Sequence, residues 1–301
     1  MQALDNWLKS IHADGTVLAR TRVAAPWGFA VDNQDAVLFH FVAEGRAFVR
    51  PSTGDAIELL AGELVLFPSG ISHEVAHSPM GKAIPLERFL LKQDGVVDST
   101  IGATTLICGE FRLDRHLALP AIRALPPVVH LRASSMRPRS GITLTLDLLR
   151  AEVEAPNFGN QIVVRSLLSA LFVYFIRDWS DAASLGSDWF SAVRSPHMAR
   201  VLALIHESPA TPWTLNSLAQ EAGLSRATLA RLFNAMVGEP PHKYLTRWRM
   251  GIACQLLGTT HLRISEIAAL VGYESEFSFS RSFKRLRGVA PSSYRNSVLG
   301  A

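Results

Sequence analysis

Residues 249–295 read RMGIACQLLGTTHLRISEIAALVGYESEFSFSRSFKRLRGVAPSSYR, and their spacing decides the C-terminal part of the fold. Ile264, Ile267, Ala268 and Val271 fall on one helical face. Gly272 follows, a residue type that readily takes the left-handed conformation a helix stop needs. Ser275 or Glu274 then stands at the cap of a second helix, with Phe279 and Phe283 facing inward. The same pattern occurs 49 to 50 residues earlier: Ala219 matches Ala268, Gly223 matches Gly272, and after a one-residue slip Arg231 matches Arg281, Phe233 matches Phe283, Gly238 matches Gly288, Pro241 matches Pro291 and Tyr244 matches Tyr294. Glycine, proline and aromatic matches at one offset mark a duplicated unit. In the first copy Leu215, Leu218, Ala219 and Ala222 make the first helix, Gly223 turns the chain, and Ser225 caps a second helix with Leu229, Leu232 and Phe233 inward. Each copy is a helix-turn-helix, predicted at about 214–234 and 264–285, with its second helix at about 225–236 and 275–286. Between the copies Tyr244, Leu245, Trp248, Ile252 and Leu256 recur at helical spacing, so one helix can hold the two units at fixed separation. Arg247 and Arg249 fall on its other faces, toward phosphate or only solvent.

Charge follows this division. The chain of 301 residues carries +4, but residues 197–301 hold twelve Lys and Arg against six Asp and Glu, a balance of +6, while residues 1–196 come to −2. A basic C-terminal third on a mildly acidic body suits a polyanion partner. With 48% apolar and 19% charged residues the chain can bury a core, which excludes disordered, coiled-coil and low-complexity classes. Two cysteines, Cys108 and Cys254, exclude a secreted disulfide scaffold and suit a reducing cytoplasm. No apolar run is long enough to span a membrane, and Met1–Ser10 lacks the basic-then-apolar pattern of a signal peptide.

Residues up to about 130 read as short strands between turn signals: Ala36–Val42, Arg46–Arg50, Ala56–Leu60, Leu64–Phe67, Ser72–Ala76, Ala83–Leu91 and Thr104–Phe111. That spacing predicts a sandwich or barrel. The period then changes, and Ile142–Glu154 and Gln161–Trp179 are helical. The second carries Val164, Leu167, Leu168, Leu171, Phe172, Phe175, Ile176 and Trp179 on one broad stripe, which packs inside the monomer or forms a homodimer seam. Residues 180–196 are polar and small, a linker with its boundary at Pro196. The expected fold class is α+β: an N-terminal barrel over 1–130, a helical connector over 131–196 that could serve dimerisation, and an all-α domain over 197–301 with two helix-turn-helix units.

Here the resemblance becomes specific. The run Arg249-Met250-x-x-Ala253-x-x-Leu256-Leu257, then Ile264-x-Glu266-Ile267-Ala268-x-x-Val271-Gly272-Tyr273-x-Ser275-x-x-x-Phe279-Ser280-Arg281-x-Phe283-Lys284-x-x-x-Gly288-x-x-Pro291-x-x-Tyr294-Arg295, resembles the signature of the AraC/XylS family of transcription regulators over about a third of the chain. The resemblance implies that the second helix of each unit enters the major groove of double-stranded DNA, where base edges carry a full donor and acceptor code. By spacing from the inward Leu229 and Phe233, the first reader shows Arg226, Ala227, Ala230 and Arg231; opposite Phe279 and Phe283, the second shows Glu276, Phe277, Ser278, Ser280 and Arg281. Arg231 and Arg281 are candidates for bidentate guanine contacts, or for phosphate, or for internal pairs with Glu221 or Glu266. Lys243, Lys284, Arg285 and Arg287 suit phosphate or water. Phe277 departs from the polar residue the family usually has there, and it either meets a thymine methyl or packs inward.

Gly62-x5-Pro68-x-Gly70-x2-His73 resembles the second motif of the cupin barrels, and Val42-Ala43-Glu44-Gly45 the hairpin that ends the first. The metal-binding set of that first motif is missing, with Leu38 where its acid would stand, which speaks against a metal-dependent cupin enzyme. His40, His73, His77 and Cys108 remain as a candidate inward cluster for zinc or copper, for a redox-sensitive thiol, or for an organic effector; alternatively they are satisfied core residues. No Ser-His-Asp set, phosphate loop or carboxylate pair is visible. The sequence therefore reads as a cytoplasmic, non-enzymatic, sequence-specific transcription regulator with a cupin-like sensor domain. The partners expected are double-stranded DNA, a second copy as homodimer, a small-molecule or metal effector and RNA polymerase, with no membrane.

Overall fold

The computed structural model describes residues 2–11, 14–32, 36–91, 103–136, 139–154, 157–182 and 188–299. Through the first half the elements run α1 (Gln2–Ile11), β1 (Asp14–Val23), β2 (Gly28–Val31), β3 (Val37–Glu44), β4 (Arg46–Pro51), β5 (Ile57–Leu60), β6 (Leu64–Phe67), β7 (His73–Ala76), β8 (Ile84–Pro85), α2 (Leu86–Leu91) and β9 (Thr104–Arg112). Then come α3 (Arg115–Arg123), β10 (Val129–Leu131), α4 (Gly141–Glu154), α5 (Asn160–Ala182), α6 (Trp189–Arg194), α7 (Pro196–Glu207), α8 (Leu215–Glu221), α9 (Arg226–Val237), α10 (Pro241–Thr259), α11 (Ile264–Leu270), α12 (Glu276–Arg287) and α13 (Pro291–Leu299).

The expected strands form two five-stranded sheets, ordered β1-β9-β3-β6-β10 and β5-β4-β7-β2-β8. Strands that alternate apolar residues inward bury one shared layer, in which Leu38, Val42, Val65, Phe67, Leu106 and Cys108 of the first sheet join Phe29, Val49, Leu59 and Val75 of the second. The outer face of the first sheet is covered as well. Phe111 of β9 meets Phe172 of α5 at 5.3 Å between ring centres. Gly15 of β1 lies so close to Leu168 that a β-carbon there would stand 2.4 Å from it. Leu168, Leu171, Phe172, Phe175 and Ile176 are thus buried within the monomer, which answers the choice left open by the α5 stripe.

Two expected elements differ. Ala83–Leu91 is not one strand: β8 is two residues long and Leu86, Phe89 and Leu90 continue as a helical stripe packed on the β core. The first 130 residues are also not all strand, because α1 and α3 are helices. Ala3, Trp7 and Ile11 recur at four-residue spacing and are buried. Trp7 donates its indole N–H to the carbonyl of Leu117 in α3 at 3.0 Å and packs on Trp189 of α6 at 4.6 Å.

These packings change the domain plan. One compact body gathers α1, α3 and everything from α6 to α13; the other gathers the ten strands with α2, α4 and α5. These compact units interleave along the chain, where the sequence suggests divisions at 130 and 196. The physical reason is that the apolar stripes of α1 and α3 find their partners among helices, not strands. Pro196 likewise opens α7 directly after α6, whose Trp189, Phe190, Ala192 and Val193 are buried.

Candidate nucleic-acid interface and ligand cavity

Each helix-turn-helix is built from the caps its sequence carries. The Thr214 hydroxyl accepts from the Ser217 amide at 3.0 Å to open α8; Ser225 accepts from Thr228 at 3.1 Å to open α9; Ser275 accepts from Ser278 at 3.2 Å to open α12. Gly223 and Gly272 make the turns with positive φ. At Gly272 a β-carbon would also stand 2.5 Å from the Ala210 carbonyl, so both conformation and space demand glycine there. Leu229 and Phe233 on α9, and Phe279 and Phe283 on α12, are fully buried.

The opposite faces carry the candidate readers. Arg226, Ala227 and Arg231 on α9, and Glu276, Phe277, Ser278, Arg281 and Lys284 on α12, are exposed; Ala230 and Ser280 are half-buried. Phe277 is 77% exposed, so it does not pack inward. Neither Arg231 nor Arg281 has an ion pair among the described residues: Glu221 is taken by Arg200 at 3.0 Å, and Glu266 accepts from the Arg263 amide at 2.6 Å. A groove of about 900 Å³ runs beside α9, lined by Trp213, Ala227, Ala230, Arg231, Pro240 and His242. Its width comes from two alanines where larger side chains would fill the space.

Three arginines lie elsewhere than expected. Arg247 is buried and paired with Glu239 at 2.5 Å. Arg249 donates to the carbonyls of Pro209 at 2.7 Å and Thr211 at 2.9 Å and lies over the Tyr273 ring. Arg287 pairs with Asp114 at 3.0 Å. All three turn inward because the carbonyls and carboxylates beside them would otherwise be buried unpaired.

In the β body the four candidate effector residues separate. His40 and His73 meet at 2.7 Å between their Nε2 atoms, both buried, with Phe67 stacked on His73 at 3.7 Å. His73 Nδ1 lies 2.8 Å from the Ile71 carbonyl, which can only accept, so Nδ1 carries the proton and Nε2 is the acceptor. His40 therefore donates from Nε2, and its buried Nδ1 keeps an unpartnered lone pair. Burial holds both rings neutral, pushing His73 down to about 4 and His40 well below its ordinary value. Cys108 pairs with His40 across β3 and β9, but among the described residues no three His, Cys, Asp or Glu side chains gather to hold a metal. Two nitrogens, one already donating to the other, do not fit the three or four ligands a zinc site uses. Burial also pushes the Cys108 thiol up to about 12, the reverse of the acidic thiol a redox sensor needs.

His77 faces a different place. Its Nδ1 is 3.1 Å from the Trp27 amide nitrogen and 2.8 Å from the Trp27 carbonyl. It lines a cavity of about 630 Å³ with Val23, Pro26, Trp27, Lys82 and Phe89. The wall beside it is fixed by Arg50, which donates to the carbonyls of Pro79 at 2.7 Å and Gly81 at 2.6 Å and pairs with Glu74.

Residues 2–181 match the family model described as Cupin, and residues 218–297 the one described as Helix-turn-helix domain. The transcriptional regulator AlkR of Acinetobacter baylyi is 31% identical over 98% of this chain and 99% of its own length. The chain belongs to the AraC-type transcription regulators that carry an N-terminal cupin domain. The RCS-specific transcriptional activator RclR of Escherichia coli is 26% identical over 99% of this chain and 98% of its own length. The solved DNA-binding domain of AdpA in complex with a target DNA is 27% identical over 34% of this chain and 91% of its own, with a TM-score of 0.32. No helix among the described residues is long and apolar enough to cross a membrane.

In this AraC-type chain the outward faces of α9 and α12 were accessible to sequence because caps, glycines and inward aromatics fix the helix phase. The cavity was not: Trp27, Lys82 and Phe89 come from separate elements, and only the spacing of Leu86, Phe89 and Leu90 gave a signal, read as strand.

The neutral histidine pair sets a pH dependence. In the unfolded chain each ring takes a proton near pH 6.5, and in the folded chain His73 resists until about 4. Their contribution is complete above about pH 6.5 and is lost as pH falls toward 4, at up to about 1.4 kcal/mol per pH unit for one group. Urea unfolding at pH 7, 6, 5 and 4.5 is expected to show a shallower slope for the His40→Leu, His73→Leu double variant than for the wild type. His206, pushed down to about 3 by burial, contributes equally to both chains. Equal slopes would contradict the burial of the pair as neutral rings.

Proposed function

We propose that the chain is a sequence-specific regulator in which α9 and α12 enter two successive major-groove segments of double-stranded DNA, about 34 Å apart. The observation that carries this reading is the pair Arg231 and Arg281. They hold equivalent positions in the two copies, both are exposed, and neither is in an ion pair among the described residues. A planar guanidinium free on a groove-sized helix suits guanine O6 and N7. Phe277 suits a thymine methyl, Glu276 suits a cytosine amino group, and Arg226, Ser278, Ser280 and Lys284 complete the contacts to bases and phosphate. Ala227 and Ala230 let the first reader approach closely. No catalytic role is proposed, and two unpaired buried thiols suit a reducing cytoplasm.

The β body is the sensor in this reading. Its ligand is an apolar small molecule held between Trp27 and Phe89, with Lys82 and His77 at the polar edge; 630 Å³ lies in the range of small-ligand sites. A second copy covers the exposed apolar side chains Leu144, Leu148, Phe158, Ile162 and Val163 of the α4–α5 hairpin, since a patch of this kind rarely faces water in a monomer. Sedimentation is expected to show a dimer for the wild type and a monomer for the Leu148→Glu, Ile162→Glu double variant; an unchanged mass would contradict this seam.

Selection of bound duplexes from a random pool tests the readers. The wild type is expected to enrich one bipartite site. Arg231→Ala and Arg281→Ala should each relax one half of it, losing about 1–3 kcal/mol of discrimination at a single base pair. Enrichment of the same site by both variants would contradict the assignment.

A further inference from the structure

Each reader helix ends on an ion pair. After α9 and its cap Gly238, Glu239 pairs with Arg247 inside the same half of the chain. The end of α12 is held differently. Arg287, its last residue, donates from one terminal nitrogen to both oxygens of Asp114, at 3.0 and 3.4 Å, across 173 residues of sequence. The pair is largely withdrawn from water, with side-chain exposures of 10% and 20%.

Asp114 is a fixed point. Its side chain also accepts from the Leu117 amide at 3.3 Å, its amide donates to the Ile11 carbonyl at 3.0 Å, and its carbonyl accepts from Ala118 at 2.8 Å. It therefore joins the end of α1 to the start of α3. The helix it opens is braced in turn, because Leu117 lies against Gly251 of α10, where a β-carbon would stand 2.5 Å from it. The reading residues Glu276 to Arg281 occupy the first half of α12, and Arg287 stands at the other end of the same rigid element. Together with the buried Phe279 and Phe283, the hold on Arg287 fixes the angle at which that first half is presented.

We propose that Asp114 is a positioning residue for DNA recognition: its clasp on Arg287 orients α12, so that the N-terminal half of the chain supplies the anchor of the second reader. Asp114 lies outside both reader helices and acts through Arg287. It follows β9 by two residues, which makes it the first described point at which the chain leaving that strand grips a reading helix. The proposal rests on α12 being a reader, as proposed above.

The test uses the full chain, the selected duplex, and duplexes with one base pair changed in either half. Asp114→Asn keeps an acceptor for the Leu117 amide and removes the charge. It is expected to weaken binding of the intact site about tenfold, the low end of one bidentate base contact. It should also shrink the penalty for a change in the α12 half while leaving the penalty in the α9 half as in the wild type. Arg287→Gln should do the same, with the double variant no weaker than either single. Arg287→Lys should restore part of the α12-half penalty. If Asp114→Asn loses affinity with both penalties intact, or loses none, the clasp has no positioning role and the proposal fails while the reader assignment stands. If the wild type is indifferent to the α12 half, both fail.

Discussion

The whole DNA-binding body depends on α10 remaining one unbroken helix. Its nineteen residues span about 28 Å at 1.5 Å per residue. Its first half is locked to α7 and to the first helix-turn-helix: Tyr244 and His206 of α7 share a hydrogen bond of 2.8 Å, Trp248 stacks on His206 at 3.7 Å, and Phe233 of α9 meets Tyr244 edge-on. Its second half is the floor of the second unit, where Met250, Ala253, Cys254 and Leu257 pack with Ile267, Val271, Phe279 and Phe283. Arg249 ties the two ends together by holding the α7–α8 connection on one side and lying over Tyr273 on the other. Helices α9 and α12 on independent hinges would lose ordering entropy on binding any shared partner; packed on one buried helix, they are held at a fixed spacing.

The interleaving of the chain adds a second constraint. Helices α1 and α3 belong to the same body as α9 and α12 although they flank the strands β1 to β9 in sequence. Trp7 and Leu117 are the residues that commit them, since each buries a large apolar side chain among helices. In the β body the buried, uncharged state of His40, His73 and Cys108 makes their surroundings a packed core, while His77 and Lys82 line the Trp27 cavity.

Much of this is legible in the sequence. The duplicated glycines, serine caps and inward phenylalanines fixed the phase of α9 and α12, and phase alone decides which side chains face outward. The strands were readable because Leu64–Phe67 and its neighbours alternate or run apolar between Gly, Pro and Asp turns. What sequence could not supply was long-range partnership. Arg247, Arg249 and Arg287 look like solvent-facing charges on helices; they are buried by Glu239, two carbonyls and Asp114, none of which has a fixed sequence offset that recurs. The histidines suffered the same limit. His73, Val75 and His77 alternate on one strand, but the strand ends at Ala76, and the turn beyond it carries His77 toward Trp27.

Footprinting by removal of single bases from the bound duplex tests most directly the claim that two readers sit on one rigid spacer. Two windows of lost binding are expected, about one helical turn apart, on one face of the duplex. Inserting five base pairs between them should abolish tight binding. One window alone, or two windows that tolerate the insertion, would contradict the rigid spacer.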